Sequence, residues 1–504
     1  MQGKTYKKIL RSAACIAGGI LLSGSLTLAA LEGNTALYKS YVYTQTGEAV
    51  ESPAAYQPVD VIESRTLGLN ETMEPNDIFL SSSGCLYIVD TKNNAIHIVS
   101  SDYRIIGSIT KLSGESGGTT ALSAPECVYV DEEEQIYVAD TGNKRIICID
   151  QNGKVLKEYP TPEIKISGKE IPYQPIKVAV DFAGRIYVVA KNVNRGILEL
   201  NQSGELLGYI GAPDVTMNMA EYFWRMISTD AQKSYLDRYV PTEYNNLLVD
   251  ASGFIYATVG TVDATEILSA AKNKNNSSTA IPIRKLSPSG EDVLTKRGAF
   301  PPIGDIEFEE SEHSIITDVA IRETGSYSLL DSRRGRIFTY DAESNLLYIF
   351  GGKGNQVGKF QSPTSLVYWE DRLLVADKVT GKITVFKPTC YADIINKAIQ
   401  LEDDGEYEKA YEAWKQALVY NSNLSTAYYG IGKMEYRLKK YDSAMNHLKL
   451  IDEKYFYSKA LVMQRKKILT TAIPICGVGI LCLVVVLVVL KIAKKKRKTK
   501  LKKI

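Results

Sequence analysis

The sequence predicts a mainly β protein: a six-bladed β-propeller of four-stranded antiparallel blades, followed by a small α-helical domain and a single transmembrane helix. Three observations lead there. Segments starting at Pro75, Pro125 and Pro175 repeat at a fifty-residue step, and Asp90, Asp140 and Ala190 keep that step. A second period of thirty-four follows, in which Ala398, Ala410, Trp414 and Ala417 recur as Gly432, Ala444, Leu448 and Ile451. Last comes an uncharged run from Ile468 to Leu490. Repeats of this length are units that cannot bury their faces alone and must stack on one another.

Within the second repeat, Cys127-Val128-Tyr129-Val130 is followed by an acidic turn, by Ile136-Tyr137-Val138-Ala139, and by Ile146-Ile147-Cys148-Ile149. An Asn152-Gly153 turn then leads into a fourth run around Val155 to Tyr159. β-Branched and aromatic runs separated by residues that accept positive φ are hairpin chemistry, so each repeat reads as one blade of four strands. Blade four holds "YNNLLVDASGFIYATVG" from Tyr244 and resumes at Pro282; blade five runs from Ile315 and blade six from Pro363. The last blade lacks a fourth strand, and an orphan strand-like run from Val59 to Thr66 precedes the first. Pairing the two closes the ring and leaves no open edge. The propeller is expected over residues 52–389.

The words "YVADTGNKRI" (Tyr137 to Ile146) and "GGKGNQVGKFQSPTSL" (Gly351 to Leu366) resemble those of NHL-repeat proteins, over about 330 residues. Blades two and six match well, and blade four departs, with Gly260 and Thr261 in place of the acidic turn. That resemblance implies a propeller that binds proteins, RNA or small ligands; a few relatives are lyases or lactonases. The thirty-four-residue period over 391–467 resembles tetratricopeptide repeats, with small residues where two helices touch and Gly405 to Tyr407 at the turn. Two such repeats need a third partner, which the helical run from about Asp452 to Lys467 supplies. The whole layout resembles bacterial membrane-anchored NHL-repeat proteins, and similar Gram-positive proteins imply an accessory to solute uptake.

At about 1.5 Å per residue, 468–490 is long enough to cross a hydrocarbon core of roughly 30 Å. The tail 491–504 carries nine basic residues and no acid, which places it in the cytoplasm. Residues 1–34 combine Lys4, Lys7, Lys8 and Arg11 with an apolar stretch from Ala13 to Ala30, as an export signal or signal anchor does. Without the thirteen basic residues of the two ends, 47 basic residues face 58 acidic ones. An acidic, extracellular main part argues against nucleic acid as partner. A protein or glycan at the cell surface, or a membrane transporter, is the expected partner. Thirty-two tyrosines against eleven phenylalanines lean the same way. Four cysteines, Cys85, Cys127, Cys148 and Cys390, lie outside the apolar ends; buried free thiols are expected, with pairing left open.

The expected site is the channel, lined by the two residues after each blade's register position. Those pairs are Asn76-Asp77, Glu126-Cys127, Ile176-Lys177, Asn245-Asn246, Thr317-Asp318 and Thr364-Ser365. Asn76, Asp77, Glu126, Lys177, Asn245, Asn246, Asp318 and Ser365 are therefore the ligand-binding candidates. No catalytic set and no cofactor are expected. The alternative is a cell-surface lactonase or lyase with Ca²⁺ on Glu126, Asn245 and Asp318, the carboxylate and amide oxygens that such an ion takes. His97, His313 and His447 fall in three different contexts, so no paired-histidine chemistry is read. An insertion at 213–241 has helical spacing and an apolar face that includes Tyr222, Phe223 and Trp224, a candidate partner surface. Ala270 to Thr279 reads as a solvated loop.

Overall fold

The computed structural model describes residues 38–114, 119–159, 161–162, 164–166, 169–170, 172–191, 193, 195–211, 243–309 and 312–501. The leader 1–34 and the insertion 213–241, with Tyr222, Phe223 and Trp224, lie outside the described residues.

Six antiparallel sheets form the ring. Blades one, two and three each have four strands in sequential order, from Pro75–Leu80 to Ile105–Ile109, from Cys127–Val130 to Val155–Tyr159, and from Pro175–Val180 to Leu206–Ile210. Blade four has three, Tyr244–Val249, Ile255–Val259 and Ile283–Leu286, its fourth strand reduced to a bridge between Leu286 and Asp292. Blade five runs from Ile316–Ile321 to Leu346–Gly351, and blade six has Pro363–Trp369, Arg372–Asp377 and Lys382–Pro388. Consecutive inner strands pack together all the way round, including the last on the first.

The second strand of a blade explains its unbroken apolar spelling. Ile136–Asp140 is buried at every position. Successive side chains point to opposite faces, and here each face meets another blade rather than water. Val138 and Ile136 join a core with Tyr87 and Ile96 of blade one, while Tyr137 and Ala139 join one with Val178 and Val188 of blade three. Phe350 of blade five packs on Tyr56 and Phe386 of blade six, with ring centroids 4.7 and 5.4 Å apart.

Ring closure occurs as the sequence suggests. Tyr56–Glu63 is the fourth strand of blade six, in register with Lys382–Pro388 from Lys382 opposite Glu63 to Pro388 opposite Tyr56. The strand starts earlier than the apolar pattern indicated because Pro58 is accommodated at this edge. A hairpin not foreseen from sequence, Tyr41–Tyr43 with Ala49–Glu51, adds to the outer edge of blade five through Tyr41 opposite Ile349.

The Asp of the repeat word has a structural role. Asp140, fully buried, accepts from the Ser123 backbone N–H at 2.7 Å, Asn143 Nδ2 at 2.8 Å and Arg145 Nε at 2.8 Å. It thereby ties the end of its own second strand to the segment that leads into the blade. Asp90, Asp331 and Asp377 hold the N–H groups of Glu74, Ile315 and Gln361 in the same way.

The expected solvated loop at 270–279 begins inside a helix, Ala264–Lys272, whose Ile267, Ala270 and Ala271 are buried. Asp263 caps it by accepting from the N–H groups of Thr265 and Glu266, a start that the Asp-Ala-Thr-Glu spelling encodes.

Beyond the propeller come the helices Cys390–Asp403, Tyr407–Tyr420, Ser425–Arg437, Tyr441–Leu450 and Tyr455–Leu501. The chain divides into two compact units, the second made of Gln400–Lys415 and the residues from Ala427 on. In that unit Gly430 lies against the Trp414 indole and Gly432 against Leu448; a Cβ would come within 2.4 and 2.5 Å of them. The last helix continues without a break through Pro474 and the apolar run, and it is long and apolar enough to span a membrane.

Candidate functional site

The inner strands of five blades start with a β-bulge: the register shifts between Pro75 and Asp77, Pro175 and Lys177, Tyr244 and Asn246, Ile316 and Asp318, and Pro363 and Ser365. A bulge places two residues opposite one and re-aims the side chain that follows. The two members of each candidate pair consequently part company.

The second members converge on the axis. Lys177 Nζ of blade three donates to Asp77 Oδ1 of blade one at 2.7 Å, a contact between blades that are not neighbours and that therefore crosses the hub. Ser365 Oγ donates to the same oxygen at 3.0 Å, and Asp77 Oδ2 accepts from the Val128 N–H at 3.2 Å. On the other side Asn246 Nδ2 donates to Asp318 Oδ1, which also accepts from the Val319 N–H at 2.8 Å, while Oδ2 accepts from the Leu366 N–H at 2.8 Å. Each carboxylate thus bonds the backbone of the next blade. Asp77, Asn246, Asp318 and Ser365 are all buried.

Electrostatics follow from one ammonium among two buried carboxylates. Burial opposes the charge of Lys177, yet Asp77 and, more weakly, Asp318 hold its pKa above the usual lysine value. Burial pushes Asp318 up to about 6, against the pull of Lys177 and with Asp77 adding to the rise. The Cys127 thiol, the blade-two member of this ring, is raised by burial and by Asp77. Sequence reading passed over Cys127 because a small apolar side chain in a strand reads as core.

Four of the first members turn sideways and staple neighbouring blades, whereas Thr317 Oγ1 donates to the Leu330 carbonyl of its own blade at 3.3 Å. Asn76 Nδ2 donates to the Glu126 carbonyl at 2.8 Å, Asn245 Nδ2 to the Ile316 carbonyl at 2.8 Å, and Thr364 Oγ1 to the Pro75 carbonyl at 3.0 Å. Glu126 pairs with Lys191 at 2.6 Å. The structure does not bring the alternative Ca²⁺ set together: Glu126 faces Lys191, Asn245 Oδ1 accepts from Thr258, and Asp318 is tied to Asn246. Among the described residues no group of three His, Cys, Asp or Glu is placed to hold a metal ion.

The histidines stay apart. His97 Nδ1 meets Ser108 Oγ at 2.9 Å, His313 meets Arg333, and His447 meets the buried Glu435 at 2.8 Å. Cys85, Cys127, Cys148 and Cys390 are free thiols; Cys127 and Cys148 are buried as expected, whereas Cys390 is exposed.

The fold is that of a six-bladed β-propeller. Human NHL repeat-containing protein 3 is 34% identical over 82 residues, which is 16% of this chain and 22% of that protein. The match thus spans about a fifth of that relative's length. No protein-family model matches the chain. Among solved structures, virginiamycin B lyase from Staphylococcus aureus aligns over 65% of this chain and 99% of its own at 13% identity and a TM-score of 0.39. A gluconolactonase from Xanthomonas campestris aligns over 63% of this chain and 87% of its own at 9% identity and a TM-score of 0.37. At these identities the likeness concerns the fold alone.

Proposed function

We propose that this chain is a membrane-anchored binding protein that presents its propeller outside the cell to a protein or glycan, as an accessory to a solute-uptake system. The observation that carries this reading is the final helix. Its side chains from Ile468 to Leu490, apart from Ala472, are exposed along an uncharged stretch, a surface that water would penalise and lipid would not. The basic tail after it favours the cytoplasmic side. Recognition at the hub would require the axial side chains to exchange their mutual bonds for a ligand's, so the outer surfaces are the better place for a partner.

Fractionation tests the anchor. The full chain should sediment with membranes and resist alkaline extraction, while a chain ending at residue 467 should not. Protease added to intact cells should cleave the propeller of the full chain. A full chain found in the soluble fraction, or a protected propeller, would sink the proposal.

A further inference from the structure

One side of blade five carries charge opposite in sign to the acidic main part of the chain. A cleft of about 890 Å³ there is lined by Lys39, Arg333, Arg334, Arg336, Lys353 and Lys359. The "DSRRGRI" word supplies the three arginines, the Gly-rich lead of blade six supplies Lys353 and Lys359, and Lys39 precedes the added hairpin. Three segments distant in sequence converge because that hairpin is laid along blade five.

Among the described residues, Asp305 and Glu312 set carboxylates against Arg334 and Arg336. Asp305 lies beneath, 1% exposed, with Arg334 Nη1 at 2.5 Å and Arg336 Nη1 at 2.6 Å from its Oδ2, while the Tyr43 hydroxyl donates to Oδ1 at 2.6 Å. It fixes two guanidinium groups and neutralises one charge. Glu312 at the rim reaches Arg334 only at 3.9 Å. Lys353 donates to the carbonyls of Gln361 at 2.5 Å and Ser332 at 3.4 Å, which orient its ammonium without cancelling it. Lys39 and Lys359 have no ion-pair partner among the described residues. Among the described residues, Lys39, Lys353 and Lys359 leave the walls positive, and a cleft concentrates such a field.

We propose that this cleft binds a small ligand bearing two or more phosphate groups. A volume of this size suits a small molecule. Guanidinium groups held by a buried carboxylate match phosphate oxygens, and the lysines around them add point charges. Two linked phosphates carry about three to four negative charges near neutral pH, opposite in sign to these lysines. This assignment stands whether or not the chain is membrane-anchored.

Calorimetric titration of the detergent-solubilised full chain with inorganic pyrophosphate tests it, with citrate as the carboxylate counterpart. Pyrophosphate should bind more tightly than citrate and lose affinity as salt is raised. Lys39→Ala with Lys359→Ala should weaken binding about tenfold, equivalent to about 1.4 kcal/mol, with an unchanged melting temperature. Glu312→Gln should strengthen it by about threefold. Absence of pyrophosphate binding, indifference to the lysine pair, or equal affinity for citrate would each overturn the proposal.

Discussion

Lys177 shows what a single residue does when the fold brings distant blades to one axis. Its ammonium is the cation of the hub, with Asp77 in direct contact and Asp318 close enough to be felt. Lys177→Met strands two buried carboxylates, and breaking a buried pair in this way costs about 3–5 kcal/mol. Urea unfolding should show that loss as a lower midpoint with unchanged slope, and Lys177→Met combined with Asp77→Asn should regain part of it. Asp318 gives a second test. Its folded pKa of about 6 lies above the ordinary carboxylate value of 3.8, so the folded state binds more protons than the unfolded state between these values. Stability contributed by this group is therefore greatest below pH 4, falls as pH rises to about 6, and is level above it. The difference in unfolding free energy between wild type and Asp318→Asn should shift by roughly 2–3 kcal/mol across that window, and a pH-independent difference would refute the assignment. The residue types at the hub were legible as polar pairs. Which member of each pair faces inward was not, because the bulge that decides it is a backbone feature with no fixed spelling.

Elements differ in how openly the sequence announces them. Helix Ala264–Lys272 is declared by its cap, since Asp263 accepts from the N–H groups of Thr265 and Glu266. Asp263→Ala should cost about 1 kcal/mol locally, read as faster hydrogen exchange across that helix with the blades unaffected. The close helix contacts of the second unit rest on Gly430 and Gly432, where any Cβ would strike Trp414 or Leu448. Gly432→Ala should destabilise the helical unit by about 1–3 kcal/mol, seen as a lower midpoint of its helical circular-dichroism transition; an unchanged midpoint would show that Leu448 can yield freely. The thirty-four-residue period marked position 432 as small, while Gly430 lies outside it. It did not say what would press against them.

At the scale of the whole molecule, closure is what makes six marginal sheets one body. Ile62, 1% exposed, inserts from the closing strand into a core with Leu374, Val385, Ile78 and Leu86, joining the last blade to the first. Ile62→Ala should cost about 2–5 kcal/mol, whereas Val59→Ala on the exposed side of the same strand should stay within about 0.5 kcal/mol. Glycine in place of residues 56–63 should open the ring, unpair the edge at Lys382–Pro388 and cause association, visible by light scattering. A monomer with the original melting temperature would show that the ring does not depend on this strand.

The sequence alone determined the repeat, the number of blades, the strand that closes them, the helical region and the apolar span, because periodicity and composition are local and survive in one dimension. Only the tertiary structure decided which polar residues share the axis, that Glu126 and Asn245 serve neighbouring blades, and that Lys39 meets the arginines of blade five and the lysines of the blade-six lead. Those outcomes depend on bulges, on a hairpin added at a sheet edge and on contacts across the ring, where residues hundreds of positions apart become neighbours through the folding of everything between them.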